Sequence, residues 1–93
     1  SDIFVDAEER FLVFHRYVDS TRAVDLWIAF RTDGTWGAPR LLDGVNGPGW
    51  ELSPTVAAGG RELFFQREGT IYRASFCGLL APEERELLGT CPP

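Results

Sequence analysis

The sequence is poor in basic side chains, in histidine and in cysteine, and it has no long apolar run. Nine basic residues against fourteen acidic residues give a net charge of −5. That balance disfavours nucleic acid as a partner, because phosphate binding needs a basic face. No apolar run approaches the roughly 18 residues of a membrane-spanning helix, so we expect no membrane span. Two cysteines without a nearby histidine pair do not make a zinc site, and the sequence implies no cofactor.

The chain nevertheless has enough apolar material for a packed core. Hydrophobic residues make up 44% and aromatic residues 13% of its 93 residues, which argues against disorder. This length corresponds to one domain or to part of one. The first residue resembles a trimmed start, so a removed targeting segment stays an open alternative. Cys77 and Cys91 either form a disulfide, which would close a loop of about 15 residues, or are two unrelated thiols.

The chain contains an internal repeat. Residues 2–16 read DIFVDAEERFLVFHR and residues 54–67 read PTVAAGGRELFFQR. At an offset of 51 residues the two stretches match at Val5/Val56, Arg10/Arg61, Leu12/Leu63, Phe14/Phe65 and Arg16/Arg67. A second echo, DLWIAF and TIYRAS, places Trp27 on Tyr72 at an offset of 45 residues. A repeat of about 45–50 residues that is rich in short strands is the period of a β-propeller blade.

The repeat predicts an all-β fold of two consecutive antiparallel, blade-like meanders with a short C-terminal helix. The predicted strands are 3–7, 11–16, 25–31 and 40–42 in the first repeat, and 55–58, 63–67 and 71–76 in the second. Asp33-Gly34 predicts a hairpin turn, Pro82 the start of the helix and Gly89 its end. The chain then divides into a four-stranded unit (1–45), an incomplete unit of about three strands (46–78), and a helix and tail (79–93).

The strand FLVFHR (residues 11–16) is apolar on both of its faces, and this pattern predicts a sheet that is covered on both sides. The second unit lacks a clear fourth strand. An incomplete blade leaves an open edge, and open edges invite pairing with another strand.

The two copies resemble the PD40, or WD40-like, repeats in the propeller of the TolB family. The stretches SPTVAAGGRELFF (53–65) and DIFVDAEERFLVF (2–14) carry the first part of the resemblance, and Asp25-Leu26-Trp27 and Thr70-Ile71-Tyr72 carry the later strand. The resemblance covers residues 2–76. The family's Asp-Gly turn is replaced by Glu8-Glu9 in one copy and by Gly59-Gly60 in the other. The resemblance implies a binding scaffold in the periplasm or outside the cell, and it brings no catalytic residue onto this sequence.

Few residues are candidates for chemistry. His15 is the lone histidine. It is either a catalytic base or a side chain at a strand end that faces solvent or a neighbouring blade. The second interpretation is favoured. The acidic start at residues 2–9 could hold Ca²⁺ through oxygen ligands, but a solvated acidic surface is favoured because no established ligand spacing is present. Asp19 and Asp25 flank a loop, and they too are either Ca²⁺ ligands or part of a solvated acidic surface, with the second interpretation favoured.

A sugar site is the alternative binding function. Asp33-Gly34-Thr35-Trp36 resembles the Asp-box turn of sialidases and the Trp-bearing hairpins of small propeller lectins. Apolar sugar faces stack on exposed aromatic rings. The candidate ligand-binding residues are Trp36, Arg40, Trp50 and Glu51. The competing interpretation is that Trp27 is core and that Trp36 and Trp50 pack between blades.

The sequence therefore predicts a non-catalytic propeller-type interaction module with no catalytic residues and no metal ligands. Its partner would be protein. The chain would be either the C-terminal part of a larger propeller or a two-blade unit that associates with itself, in which case three copies would give six blades. A lectin-like propeller is the alternative, and a glycoside hydrolase is less favoured because no two carboxylates are fixed at a definable separation.

Overall fold

The computed structural model describes residues 3–18, 23–45, 51–57 and 59–91, and most of its regular structure is β-strand. The fold is all-β with one short C-terminal helix, as the sequence predicts. Its strands are β1 (Ile3–Val5), β2 (Phe11–Val18), β3 (Ala23–Thr32), β4 (Thr35–Trp36), β5 (Arg40–Leu41), β6 (Glu51–Ala57), β7 (Glu62–Arg67) and β8 (Thr70–Ser75). A short 3-10 helix (Cys77–Leu79) leads into helix α1 (Pro82–Leu88).

The strands form two antiparallel sheets. The first sheet has the order β1-β2-β3-β4, and β5 also pairs with β3. The second sheet has the order β6-β7-β8. Each sheet is a meander because strands that follow one another along the chain pair side by side.

The first sheet has five strands, whereas the sequence predicts four. The turn at Asp33 (φ 51°) and Gly34 (φ 78°) brings β4 back onto the end of β3, a pairing that the sequence analysis missed. The amide of Gly37 still donates to the carbonyl of Phe30, but Pro39 has no N–H to donate and the ladder is interrupted there. The predicted outer strand then resumes as β5, which pairs with the middle of β3.

The polar loop predicted at residues 17–24 is shorter than expected, because β2 continues to Val18 and β3 begins at Ala23. Residues 19–22, which include Asp19, lie outside the described residues. The corresponding connection in the second sheet is the predicted Glu68-Gly69 turn, with φ of 50° and 82°. A two-residue turn of this kind matches the twist of the strands that it joins, which keeps β7 and β8 in register.

The core lies between the two sheets and crosses both repeats. Phe11, Val13, Leu26 and Ile28 come from one face of the first sheet, and they pack against a single face of the second sheet. That face contributes Val56, Leu63 and Phe65. Alternation along each strand sends these side chains to the same side, so the burial follows directly from the sequence pattern.

The C-terminal segment closes one end of this core. Phe76, Leu80 and Leu88 are buried in the same cluster, and the ring of Phe76 lies 5.0 Å from that of Phe11. Helix α1 begins at Pro82, and Gly89 ends it with φ of 69°, as predicted. Of the two alternatives for Cys77 and Cys91, the disulfide is present, and it holds the tail against the start of this segment.

Two side chains of the first sheet also hold α1. The Arg40 guanidinium lies 2.6 Å from the Glu84 carboxylate, and Arg10 donates a hydrogen bond of 2.7 Å to the carbonyl of Leu88. Burial by itself raises the pKa of Glu84, but the hydrogen bonds from Arg40 and the Ala81 amide outweigh it and hold that pKa below its usual range. Within the described part of the chain, α1 is too short and too polar to cross a membrane, and no other helix there could do so.

Candidate functional site

The first sheet has one face packed on the second sheet and one face open to solvent. We call the open face the rear face. Its members are placed on one side by the strand register, in which Val5 lies opposite Leu12 and Trp27 lies opposite both Phe14 and Leu41. The rear face consists of Ile3, Val5, Leu12, Phe14, Trp27, Ala29, Trp36 and Leu41, with Arg16 and Arg31 at its margins.

The rear face is unusually apolar for a surface that solvent reaches. Ile3, Val5 and Trp36 are 56%, 46% and 39% exposed. Their neighbours Leu12, Phe14, Trp27 and Leu41 are half-buried, because each is shielded only by side chains of the same sheet. Large contiguous apolar patches on a protein surface mark interaction sites more often than single exposed side chains do.

The second sheet repeats this face, and there Val56, Leu63 and Phe65 are buried, whereas Tyr72 is 43% exposed. Its face toward the first sheet carries Val56, Leu63, Phe65, Arg67, Tyr72 and Ala74. The strand registers are the same in both sheets: Val5 pairs with Leu12 as Val56 pairs with Leu63, and Phe14 pairs with Trp27 as Phe65 pairs with Tyr72. The open face therefore has the side chains, in the same arrangement, of a face that packs on a sheet.

One arginine lies over two aromatic rings on each of these faces. The guanidinium of Arg16 is 3.8 Å from the ring centre of Trp27 and 5.9 Å from that of Phe14. The guanidinium of Arg67 is 5.2 Å from the ring centre of Tyr72 and 5.4 Å from that of Phe65. Cation–π contacts of this kind orient the long arginine side chain flat against the sheet.

The two arginines differ in what else they bind. Arg67 donates from Nε to the Glu51 carboxylate at 2.9 Å and from Nη2 to the carbonyl of Val45. Glu51 is fully buried, and Arg67 is 30% exposed. Arg16 is exposed on the rear face. Burying a carboxylate requires a partner of opposite charge, and Arg67 supplies it.

Glu51 also links the two sheets through Asp25. Burial raises the pKa of Asp25, and so do its hydrogen bond with Glu51 and the negative charge of Glu51. Asp25 Oδ1 is buried and has no hydrogen-bond partner among the described residues. The negative charge of Glu51 disfavours ionisation of Asp25. The arrangement holds β3 against β6 most firmly when Asp25 is protonated.

The Asp25 carboxyl group makes the stability of the protein depend on pH. Its pKa in the folded state lies above that in the unfolded state, so its contribution to the free energy of unfolding is fully present below about pH 4 and is lost as the pH rises through the folded pKa. Asp25→Asn stays neutral at every pH. We expect the free energy of unfolding of this variant, relative to the wild type, to rise from acidic to neutral pH in urea titrations. Asp33→Asn, in an exposed turn, is the control and should show no such trend.

A cleft of about 390 Å³ lies between the β1–β2 turn and the β6–β7 turn. Asp6 and Arg10 form part of its wall. Arg10 donates to both carboxylate oxygens of Asp6, at 2.7 and 3.0 Å, and this bonding holds the pKa of Asp6 below its usual range despite partial burial. Asp6 and Arg10 thus engage each other and support the turn, whereas the buried hydroxyl of Thr90, which also lines the cleft, has no hydrogen-bond partner among the described residues.

The four residues predicted as a ligand site have different surroundings. Trp36 lies on the rear face, opposite Arg31. Arg40 is on the other side of the sheet, opposite Ile28, and is bound to Glu84. Glu51 is buried with Arg67, and Trp50 lies outside the described residues. The structure does not bring Trp36, Arg40 and Glu51 to one surface, and their role in ligand binding stays a prediction.

The other candidates for chemistry have structural contacts. His15 Nδ1 accepts a hydrogen bond of 3.4 Å from the amide of Ser53, which connects β2 to β6. In the acidic start, Asp6 is bound to Arg10, and Glu9 lies 2.8 Å from Arg31. Among the described residues, no group of three or more His, Cys, Asp or Glu side chains is close enough to hold a metal ion.

The rear face was not predicted as a site, although the sequence contains its signal. Two features carry it: the strand at residues 11–16 is apolar on both faces, and the repeat matches Leu12, Phe14 and Arg16 with residues that the second sheet buries. Sequence alone assigns these side chains to one face by alternation. It does not say which face of the sheet a neighbour covers.

Comparisons with known proteins give no relative: no family model, no curated protein and no solved structure matches this chain.

Proposed function

We propose that this chain is a non-catalytic, propeller-type binding module that holds a β-sheet of a protein partner on its rear face. One observation carries the proposal. At Val5, Leu12 and Phe14 the rear face repeats, with identical residues in the same strand register, the face that the second sheet packs against the first. A surface that packs on a sheet in one copy is suited to packing on a sheet in the other.

The energetics favour a covered rear face. Its open aliphatic and aromatic side chains gain roughly 25 cal/mol for each Å² of apolar surface removed from water. Sheets that pack face to face bury such side chains in a layer about 10 Å thick. Arg16 lies at one margin, where it remains solvated or meets a carboxylate of the partner, and Arg31 lies at another, where it is paired with Glu9. A rim of charge around an apolar centre is typical of protein interfaces.

The glycan alternative rests on one exposed ring. Trp36 is 39% exposed and could stack on a sugar. It is also continuous with the apolar rear face, through its position beside Arg31 at the end of β3. A sheet partner accounts for the whole face, whereas a sugar accounts only for this margin, so we favour the sheet.

The proposal is tested with charge substitutions on the rear face of the full chain. Phe14→Glu introduces a charge at the centre of the face, and Val5→Glu does so on its exposed edge strand. We expect the wild type to bind the apolar dye bis-ANS and to associate reversibly in sedimentation velocity as its concentration rises, because the uncovered face finds a second apolar surface. Both variants should lose most of the dye signal and remain monomeric.

The matched control is Ile71→Glu, on the opposite outer surface of the molecule, where Ile71 is 71% exposed. This variant should behave like the wild type. Circular dichroism and thermal unfolding confirm that each variant is folded before it is compared. The proposal is wrong if the wild type, Phe14→Glu and Val5→Glu behave alike, or if only Ile71→Glu changes dye binding and association.

A further inference from the structure

The two ends of the sheet stack differ in polarity. The rear face at one end is apolar, as described above. At the other end, the second sheet has an outer face that we call the front face, made of Thr55, Glu62, Phe64, Gln66, Ile71, Arg73 and Ser75. Glu62 and Arg73 form an ion pair of 3.2 Å across this face, and both are accessible to solvent.

The corresponding face of the first sheet is the one buried in the core. The shared register matches the front face with Phe4, Phe11, Val13, His15, Leu26, Ile28 and Phe30. Glu62 stands where the first sheet has Phe11, and Arg73 stands where it has Ile28. Thr55 and Ser75 replace Phe4 and Phe30. At these four positions the front face lacks the aromatic and aliphatic side chains that receive the second sheet, whereas Phe64 and Ile71 keep apolar side chains at the positions of Val13 and Leu26.

The molecule itself contains the complex that its rear face would form. In the core, the face with Val56, Leu63 and Phe65 packs on the face with Phe11, Val13, Leu26 and Ile28. Since the rear face has the pattern of the face with Val56, Leu63 and Phe65, its partner should have the pattern of the face with Phe11, Val13 and Ile28.

We propose that the second sheet is the terminal cap of a one-sided stack, and that the rear face takes a β-sheet of another polypeptide segment with an aromatic and aliphatic face like that of Phe11, Val13 and Ile28. This inference rests on the proposed function and specifies its partner. Stacked repeats need a polar outer face on their terminal unit to remain soluble. The front face meets that need, and the rear face does not.

A second copy of this chain is a poor head-to-tail occupant, because the face that it would then present is the front face with Glu62 and Arg73. Two rear faces meeting, as in the concentration-dependent association expected above, would not present the pattern of Phe11, Val13 and Ile28. Packing the front face on an apolar sheet would remove an ion pair from water, and the desolvation of such pairs offsets much of their mutual attraction. The charges thus act against a head-to-tail ring of identical chains.

The test uses a donor variant that presents the missing pattern. The triple variant Glu62→Phe/Arg73→Ile/Phe14→Glu restores the two apolar positions on its front face, and its own rear face is blocked. The acceptor is fluorescently labelled wild-type chain, at a concentration where it sediments as a monomer. We expect a one-to-one complex in fluorescence-detected sedimentation, at least about tenfold tighter than with Phe14→Glu, which has the natural front face.

The controls separate this inference from the proposed function. Acceptor with Val5→Glu should bind the donor more weakly, because its rear face is damaged. A second donor, Glu62→Ile/Arg73→Ile/Phe14→Glu, tests whether binding to the acceptor depends on the particular side chain at position 62. If the Phe14→Glu variant, with its natural front face, bound the wild-type acceptor as tightly as the donor does, the second sheet would not be a cap. A second copy of the chain would then be the occupant of the rear face. Absence of binding by both donors, with dye binding at the rear face intact, would overturn the partner pattern alone.

Discussion

Arg67→Ala is expected to lower the free energy of unfolding by about 3 to 5 kcal/mol, because it leaves the fully buried Glu51 carboxylate without its cation. The substitution also removes the hydrogen bond to the carbonyl of Val45 and the contacts with Phe65 and Tyr72. Urea unfolding followed by tryptophan fluorescence measures the loss. Arg67→Lys keeps the positive charge but cannot donate to both Glu51 and the Val45 carbonyl. We therefore expect it to lower the free energy of unfolding by an intermediate amount.

The repeat supplies a matched control for this prediction. Arg16 has the same position in the first sheet and the same stacking on two rings, but it is exposed. Arg16→Ala should cost only about 0.5 to 1 kcal/mol, the range for an exposed cation–π contact. Adding Glu51→Gln to Arg67→Ala should recover part of the lost stability, since no buried charge then remains. Equal losses for Arg16→Ala and Arg67→Ala would show that the buried carboxylate does not depend on Arg67.

Removing the disulfide should have the next largest effect. Cys77→Ser/Cys91→Ser releases a loop with a sequence separation of 14 residues, which corresponds to about 3 kcal/mol of chain entropy in the unfolded state. For a domain of this size, that lowers the midpoint of thermal unfolding by roughly 12 to 24 °C. The loop contains α1, whose Leu88 seals the core, so the helix should lose order with the bond.

Reduction of the wild type provides the control for the disulfide. Thermal unfolding of the wild type in the presence of a reductant should resemble that of the double serine variant, and the variant itself should not respond to the reductant. A wild type that unfolds at the same temperature with and without the reductant would contradict the prediction. In that case the contacts of Phe76, Leu80 and Leu88 with the sheets would be enough to hold the tail.

The proposed partner sheet and the pH dependence of Asp25 concern two different interfaces of the first sheet. Asp25 and Glu51 connect β3 with β6 inside the molecule. The rear face offers the first sheet to a partner outside it. The repeat gives Arg16 to that outer face, where Asp25 is its partner in the β2–β3 register. A carboxylate on the partner sheet, placed near Arg16, would complete the same arrangement at the second interface.

Much of the fold is determined locally and could be predicted. The short apolar stretches at residues 11–16 and 63–67 specify strands, Asp33-Gly34 and Glu68-Gly69 specify two-residue turns, and Pro82 and Gly89 delimit the helix. The pairing of β4 with β3 was missed because two residues are too few for a strand signal. The disulfide was one of two alternatives in the sequence, because the distance between two cysteines depends on the path of the chain between them.

The candidate site shows the limit of the sequence most clearly. By itself, the sequence determined the repeat, and with it the equivalence of Phe14 with Phe65 and of Arg16 with Arg67. Only the tertiary structure decided which member of each pair is covered. Alternation places side chains on the two faces of a strand, but burial of a face depends on contacts between segments about 50 residues apart. Those long-range contacts cover Phe65 and leave Phe14 half-buried on an open face.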